Sequence, residues 1–298
     1  MYASARGVEF LSSSLDCFLL INQWKRKMKM EDLPKGLASS NASKIAKRLG
    51  LISGGKVLDV ATARGRFIDT LMKTLKAYDS FVGIDYCASD ESREDMESAK
   101  KRFEGNPVQF LQVNAENLQF EDESFNTVCI SHSLHHLDKI DGVLMEMKRV
   151  LKSGGIFILQ EMYCDGNQTE AQKVDERMHE WEAKIDSLMG ITHNKTFTKQ
   201  RIIDIARGLK LKELEILDSS HPVDCLFCKN KHECEDPKKQ AKFHESDTAF
   251  MDNVIKRIEN HPDLQTRKRL REEGERIKEA VAKYGSSPPS HFFIIGKK

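Results

Sequence analysis

Lys56-Val57-Leu58-Asp59-Val60-Ala61-Thr62-Ala63-Arg64-Gly65 is the stretch that decides the fold. Val57, Leu58 and Val60 form the short apolar run of a strand covered on both faces. Ala61, Thr62, Ala63 and Gly65 are small, so the backbone can pass close to a ligand where the chain turns. Phe67, Ile68, Leu71, Met72 and Leu75 then recur at helical spacing, which predicts a helix over 65–76. A strand, a tight turn and a helix in that order are the first unit of an open parallel sheet.

Working outward, the alternation continues. Strands are expected at 81–85, 108–113, 125–131 and 155–161, with helices at 89–103 and 141–151. Upstream, Ser40 or Asn41 can cap a short helix that carries Ile45, Ala46 and Leu49 and stops at Gly50. After residue 161 the pattern changes. A charged amphipathic helix containing Trp181 is expected over 167–189, then a helix capped by Thr198 that buries Ile202, Ile203 and Ile205. Leu211 to Leu217 alternates as a strand. Two long charged helices, about 238–260 and 264–284, break at His261-Pro262, and a Ser-Pro linker leads to a last strand at 291–295. Their apolar positions, including Phe250, Val254, Ile258, Leu270, Ile277 and Val281, would pack on the domain or on each other, and could form a lid.

The expected architecture is therefore α/β: a doubly wound, mostly parallel seven-stranded sheet spanning 39–298, with helical insertions before the last strands. One insertion covers 162–208; the other, a cysteine loop followed by helices, covers 219–285.

In such a sheet ligands bind beyond the carboxyl ends of the strands. Asp59 leads into the first turn, and Asp85 follows the second strand, 26 positions on, with Tyr86 next to it. A carboxylate there can accept both hydroxyls of a ribose. Asn114, Ala115 and Glu116 follow the third strand, where a side-chain amide and backbone N–H groups can meet an adenine edge. Ser131 and His132 end the fourth strand.

These segments resemble the class I S-adenosylmethionine (SAM) dependent methyltransferases, in particular the group similar to the ubiquinone/menaquinone-biosynthesis enzymes. The group's pattern runs V-L-D-x-G-x-G-x-G, G-x-D, D-A-E, S-F-D, H-H and R-V-L-K-P-G-G. This chain has VLDVATARG (57–65), VGIDYC (82–87), VNAENLQFEDESFNTV (113–128), SLHHL (133–137) and MKRVLKSGGIFIL (147–159), in the same order over about 40–161. The resemblance implies a Rossmann-like methyltransferase fold and SAM as methyl donor. It implies a SAM site made of Asp59, Ala61, Thr62, Ala63, Gly65, Asp85, Tyr86, Asn114, Ala115, Glu116, Ser131 and His132.

The departures carry chemistry. Ala61 and Ala63 stand where the group has glycines, so either the turn keeps φ negative or the cofactor sits farther out. Asn114 replaces an aspartate; it can still accept a bond but brings no charge. Asn126 replaces another aspartate and Ser153 a proline, both in turns. A dehydrogenase would need G-x-G-x-x-G near 61–66, where A-T-A-R-G-R stands.

Methyl transfer needs an acceptor held in line with the S–CH3 bond, and a hydroxyl or amine acceptor can also need a base. His135, Glu161 and Tyr163 are the candidates, with His136 and His193 behind them. His132, His135 and His136 could be read as metal ligands. The blander reading has His136 packing or capping the next helix and His132 lining the pocket floor, so no metal is expected there. Cys225, Cys228, His232 and Cys234 have zinc-like spacing, read here as free thiols in a loop. Ser131-His132-Ser133-Leu134 stands where methyltransferases of nucleic-acid amino groups carry an Asn-Pro-type tetrapeptide. The expected substrate is a small molecule methylated on O, N or C. A protein or RNA acceptor, and a SAM-binding protein without turnover, are the alternatives.

Composition bounds the partners. Lysine plus arginine is 47 against 46 acidic residues, so the global basic excess of a polyanion binder is missing. Seven cysteines, an odd number with four of them scattered singly, point to a reduced, cytoplasmic setting. Residues 1–38 read as a loosely docked leader. Its apolar run Leu15 to Ile21 is too short for a transmembrane span and precedes, rather than follows, Lys25, Arg26, Lys27 and Lys29. Met28 or Met30 is an alternative start, and a short amphipathic helix covering the domain or touching a membrane is the other reading of the leader.

Overall fold

The computed structural model describes residues 41–87, 90–219 and 237–298; the leader, Ser40 and the Cys225–Cys234 loop lie outside them. Strands β1 (Lys56–Val60), β2 (Ser80–Asp85), β3 (Val108–Gln112), β4 (Phe125–Ser131), β5 (Leu151–Met162), β6 (Lys212–Ser219) and β7 (His291–Lys297) form one sheet. Its order is β3-β2-β1-β4-β5-β7-β6. The first five strands run parallel, and β7 lies antiparallel between β5 and β6. Helices α1 (Asn41–Leu49), α2 (Arg66–Thr74), α3 (Asp90–Arg102), α4 (Ile140–Val150), α5 (Glu170–Leu188), α6 (Lys199–Gly208), α7 (Pro237–Lys256) and α8 (Leu264–Tyr284) complete the described elements.

The sheet is covered on both faces because its strands alternate apolar residues to each side. Leu58 and Val60 pack with Val128, Ile130, Phe157 and Leu159 on one face. Val57 packs with Phe81, Cys129, Ile158 and Ile68 on the other. Each such buried side chain contributes about 1.5–3 kcal/mol of transfer free energy. The winding reverses between β1 and β4, so the tips of those strands diverge and open a crevice.

β5 begins at Leu151 rather than at the expected residue 155. Leu151 pairs with Phe125, and the register then shifts around the Gly154 turn, whose φ is 75°. Ile203 is only half-buried, whereas Ile202 and Ile205 are buried as expected.

α5, α7 and α8 build a separate helical cap. Thr169 starts α5 with a reciprocal capping box to Gln172. Val174, Met178, Trp181, Val254, Leu270 and Ile277 bury one another, so these helices pack mainly among themselves. Trp181 Nε1 donates to Leu270 O at 2.8 Å, and α8 approaches so closely that a Cβ on Gly274 would lie 2.9 Å from the indole.

Candidate active site

The turn after β1 keeps glycine-like geometry without the glycines. Ala61 has φ 54°, Ala63 has φ 42° and Gly65 has φ 70°. Of the two options left by the sequence, negative φ is excluded. A left-handed alanine costs about 1–2 kcal/mol, so the turn stores strain where the sheet opens. Hydrogen bonds hold it: Thr62 N donates to Ile84 O (2.9 Å), Thr62 Oγ1 to Asp59 (2.6 Å) and Ala63 N to Asp85 Oδ2 (2.9 Å). Burial pushes the Asp59 carboxyl up to about 7, against the bonds from Thr62 and from Cys129 Sγ, which lies 3.4 Å away.

Asp85 ends β2 and also receives Cys87 N at 3.4 Å. Tyr86 beside it is 61% exposed. Val113 N donates to Asp85 O (2.9 Å), which sets the tip of β3 next to that of β2. There Asn114 Oδ1 accepts from Glu116 N (2.9 Å), and Glu116 pairs with Lys139 (2.8 Å).

A cavity of about 770 Å³ lies between the strand tips and the cap. Asp59, Ala61, Thr62, Ala63, Ser131 and His132 line its sheet side. Gly65, Asp85, Tyr86, Asn114, Ala115 and Glu116 are not in its wall; the acidic and amide groups continue the row of strand tips beyond it. His132 has φ 49° and donates its N–H to Gln160 O at 2.8 Å, and Ser131 Oγ donates to Gln160 Oε1 at 3.0 Å. Burial lowers the His132 imidazole, with Glu161 pulling the other way. His291 meets the His132 ring at 5.4 Å; burial, then His132, pull it down to about 3, and its Nε2 is buried with no hydrogen-bond partner among the described residues.

The three candidate bases separate. Tyr163 is buried, donates its hydroxyl to Asp218 (2.5 Å) and is absent from the cavity wall. Glu161 is fully buried and accepts from Leu134 N (2.8 Å), Met162 N (3.0 Å) and His135 Nδ1 (3.0 Å). Burial alone would raise its carboxyl, but His135, His132 and the Met162 N–H outweigh that and hold it below the usual range. Glu161 therefore orients His135. His135 itself, on the 3-10 turn Leu134–His136, is buried and lines the cavity.

His135 does not stand alone. His179 from α5 and His193 from the loop after it converge on it, and one ring nitrogen from each lies within 4.8 Å of the others. His193 Nε2 is 3.0 Å from His179 Nε2, and His193 Nδ1 is 2.6 Å from Asp186. Arg257 in turn pairs with Asp186 and Glu182. Burial, with His135 and then His193 adding to it, pulls His179 down to about 2, and burial with His135 pulls His193 down to about 4. The His136 ring lies 4.2 Å from that of His193, tilted at 44°, so it packs against the loop after α5 and lines the cavity beside it. The sequence reading missed His179, because nothing in its spacing ties it to His135; only the docking of the cap does.

The sheet order, the strand-tip turn and the acid after β2 define a Rossmann-like methyltransferase domain. The methyltransferase domain family model matches residues 58–159. A ubiquinone/menaquinone-biosynthesis C-methyltransferase of Desulfotalea psychrophila is 35% identical over 111 residues, 37% of this chain and 43% of that protein. A demethylmenaquinone methyltransferase of Lactococcus lactis is 32% identical over 114 residues, covering 38% and 44%. The matched segment thus resembles the methyltransferase domain of the class I SAM-dependent enzymes, most closely in sequence pattern those of the ubiquinone/menaquinone type; the chain spans less than half the length of these relatives. Among solved structures, the [4+2]-cyclase SpnF superposes with a TM-score of 0.54 at 17% identity, covering 86% of this chain and 79% of that one. A candidate methyltransferase of Bacillus halodurans superposes at 0.51 and 18%, covering 86% and 98%. Both show the fold, and the cyclase name on one of them is a reminder that the fold alone does not set the reaction.

Proposed function

We propose that this chain transfers the methyl group of SAM to an O, N or C nucleophile of a small molecule held in the cavity under the helical cap. The observation that carries this reading is the join between the two parts. The positive-φ turn of a methyltransferase domain opens directly into a cleft of about 770 Å³ under the cap, large enough for a small acceptor.

The residues present fit the cofactor. The turn at Ala61 and Ala63 leaves backbone accessible ahead of α2, as a close-lying nucleoside or amino-acid moiety requires, while Gly65 is buried against Phe103 and Phe110. Asp85 would accept the ribose hydroxyls; each of its oxygens has two lone pairs, so the bonds from Ala63 and Cys87 leave capacity. Asn114 would accept from the adenine amino group by the same count, with Ala115 and Glu116 offering backbone groups. Asp59, Thr62, Ser131 and His132 would face the remainder of SAM. When bound, SAM supplies an electrophilic methyl on a sulfonium. The chain's own part is to align the acceptor and exclude water, which the cap does by covering the cavity. The quinone-biosynthesis names of the relatives make a flat, hydroxylated ring a reasonable acceptor, and a reduced cytoplasmic setting suits the free thiols of Cys87, Cys129 and Cys164. No described helix is long and apolar enough to cross a membrane.

Incubating the protein with methyl-labelled SAM and a fractionated cell extract tests this. Label in a small-molecule fraction is the expected result. Label confined to protein or RNA would replace the acceptor class, and no transfer to any fraction would leave a SAM-binding protein without turnover.

A further inference from the structure

We infer that His135, His179 and His193 form a binding site for a divalent transition-metal ion of the zinc kind, open toward the cavity. Three separate elements bring these imidazoles together: the 3-10 turn after β4, helix α5 and the loop beyond it. The loop is fastened to the turn, because Asn194 N and Nδ2 both donate to His135 O, at 2.7 and 3.1 Å.

Tautomers decide what the cluster presents. A carboxylate only accepts hydrogen bonds, so Glu161 fixes the proton of His135 on Nδ1, and Asp186 does the same for His193. Both rings then keep a bare Nε2. His193 Nε2 lies 3.0 Å from His179 Nε2, and the three ligand nitrogens span no more than 4.8 Å. Tetrahedral ligands about 2.0–2.1 Å from zinc sit about 3.3 Å apart, so modest ring rotations suffice. Neutral imidazoles backed by buried carboxylates are the usual outer shell of histidine-bound metals, in which the carboxylate orients the ring and raises its basicity.

Three histidines leave a fourth position vacant, the arrangement of a reactive rather than a structural zinc. All three histidines line the space shared with Ala61, Thr62 and His132, so the fourth position would open onto it. Building on the function proposed above, that position would take an oxygen or sulfur donor of the methyl acceptor, which narrows the acceptor to molecules bearing a hydroxyl, thiol or carboxylate.

The test uses the full chain, stripped with a chelator and titrated with Zn2+ by calorimetry and with Co2+ by visible absorption. One ion per chain is expected, with ligand-field bands and no thiolate charge transfer. His179→Ala should weaken binding by roughly 100-fold or more, and Glu161→Gln by roughly 10- to 100-fold, without changing the fold seen by circular dichroism. A Cys225→Ser, Cys228→Ser double variant should keep the ion. The inference is overturned if zinc does not bind, if binding survives His179→Ala, or if it disappears with the two cysteines. Metal binding is read without SAM, so a failure of methyl transfer and a failure of the metal site are separately visible.

Discussion

The parallel sheet and the helical cap meet at one cavity, yet their sequences specify them in different ways. The sheet's residues carry their role locally: each strand is an apolar run and each strand tip a short signature. The cap carries its role only in three dimensions, since His179 and Trp181 matter through partners on other elements. The sheet can therefore be read from short contiguous stretches, whereas the cap can be read only from the packing of distant ones.

The largest expected effect separates the halves by stability. Trp181→Ala empties the centre of the cap and removes the indole's bond to the Leu270 carbonyl, which costs about 3–5 kcal/mol. Hydrogen exchange should then show α5 and α8 losing protection while β1 to β5 keep it. Equal loss in both regions would make them one cooperative unit and break the contrast.

A second variant probes the sheet. The folded Asp59 carboxyl, near 7, binds its proton more tightly than the unfolded one at about 4. Its contribution is thus favourable below pH 4 and is lost as pH rises through 7, on the order of 4 kcal/mol in all. Asp59→Asn should gain up to about that much over the parent at pH 8 and converge with it below pH 4. Urea titrations across pH would read this, and parallel curves for the two proteins would contradict it.

The smallest effect sharpens the account of the turn. Ala61→Gly and Ala63→Gly should each add up to about 1 kcal/mol, as relief of left-handed strain exceeds the added freedom of the unfolded chain. A loss of stability in thermal melts would mean that the alanine methyls pack usefully.

These contrasts also explain what the sequence could tell. Strands β1, β2 and β4 were legible because Val57, Leu58, Phe81 and Val128 are apolar on both faces of a covered sheet. The start of β5 was not, because Lys152-Ser153-Gly154-Gly155 reads as a turn and only the partner Phe125 draws Leu151 into the ladder. Asp59, Ala61, Thr62 and Ala63 could be singled out from one contiguous motif. The histidine cluster could not: its members are 44 and 14 residues apart, and their carboxylate partners Glu161 and Asp186 lie on different elements. Glu161 and Tyr163 could be picked out as polar groups after β5, but their orientation away from the cavity depends on the neighbours Leu134 and Asp218.

Calorimetry with SAM and with S-adenosylhomocysteine, on the parent and on Asp85→Ala, tests most directly whether the row of strand tips holds the nucleoside. One site of micromolar or tighter affinity is expected, weakened roughly 10- to 100-fold in the variant, the cost of a hydrogen-bonded charge at about 1.5–3 kcal/mol, with the thermal midpoint little changed. Undiminished binding by the variant, or no binding by the parent, would contradict the account.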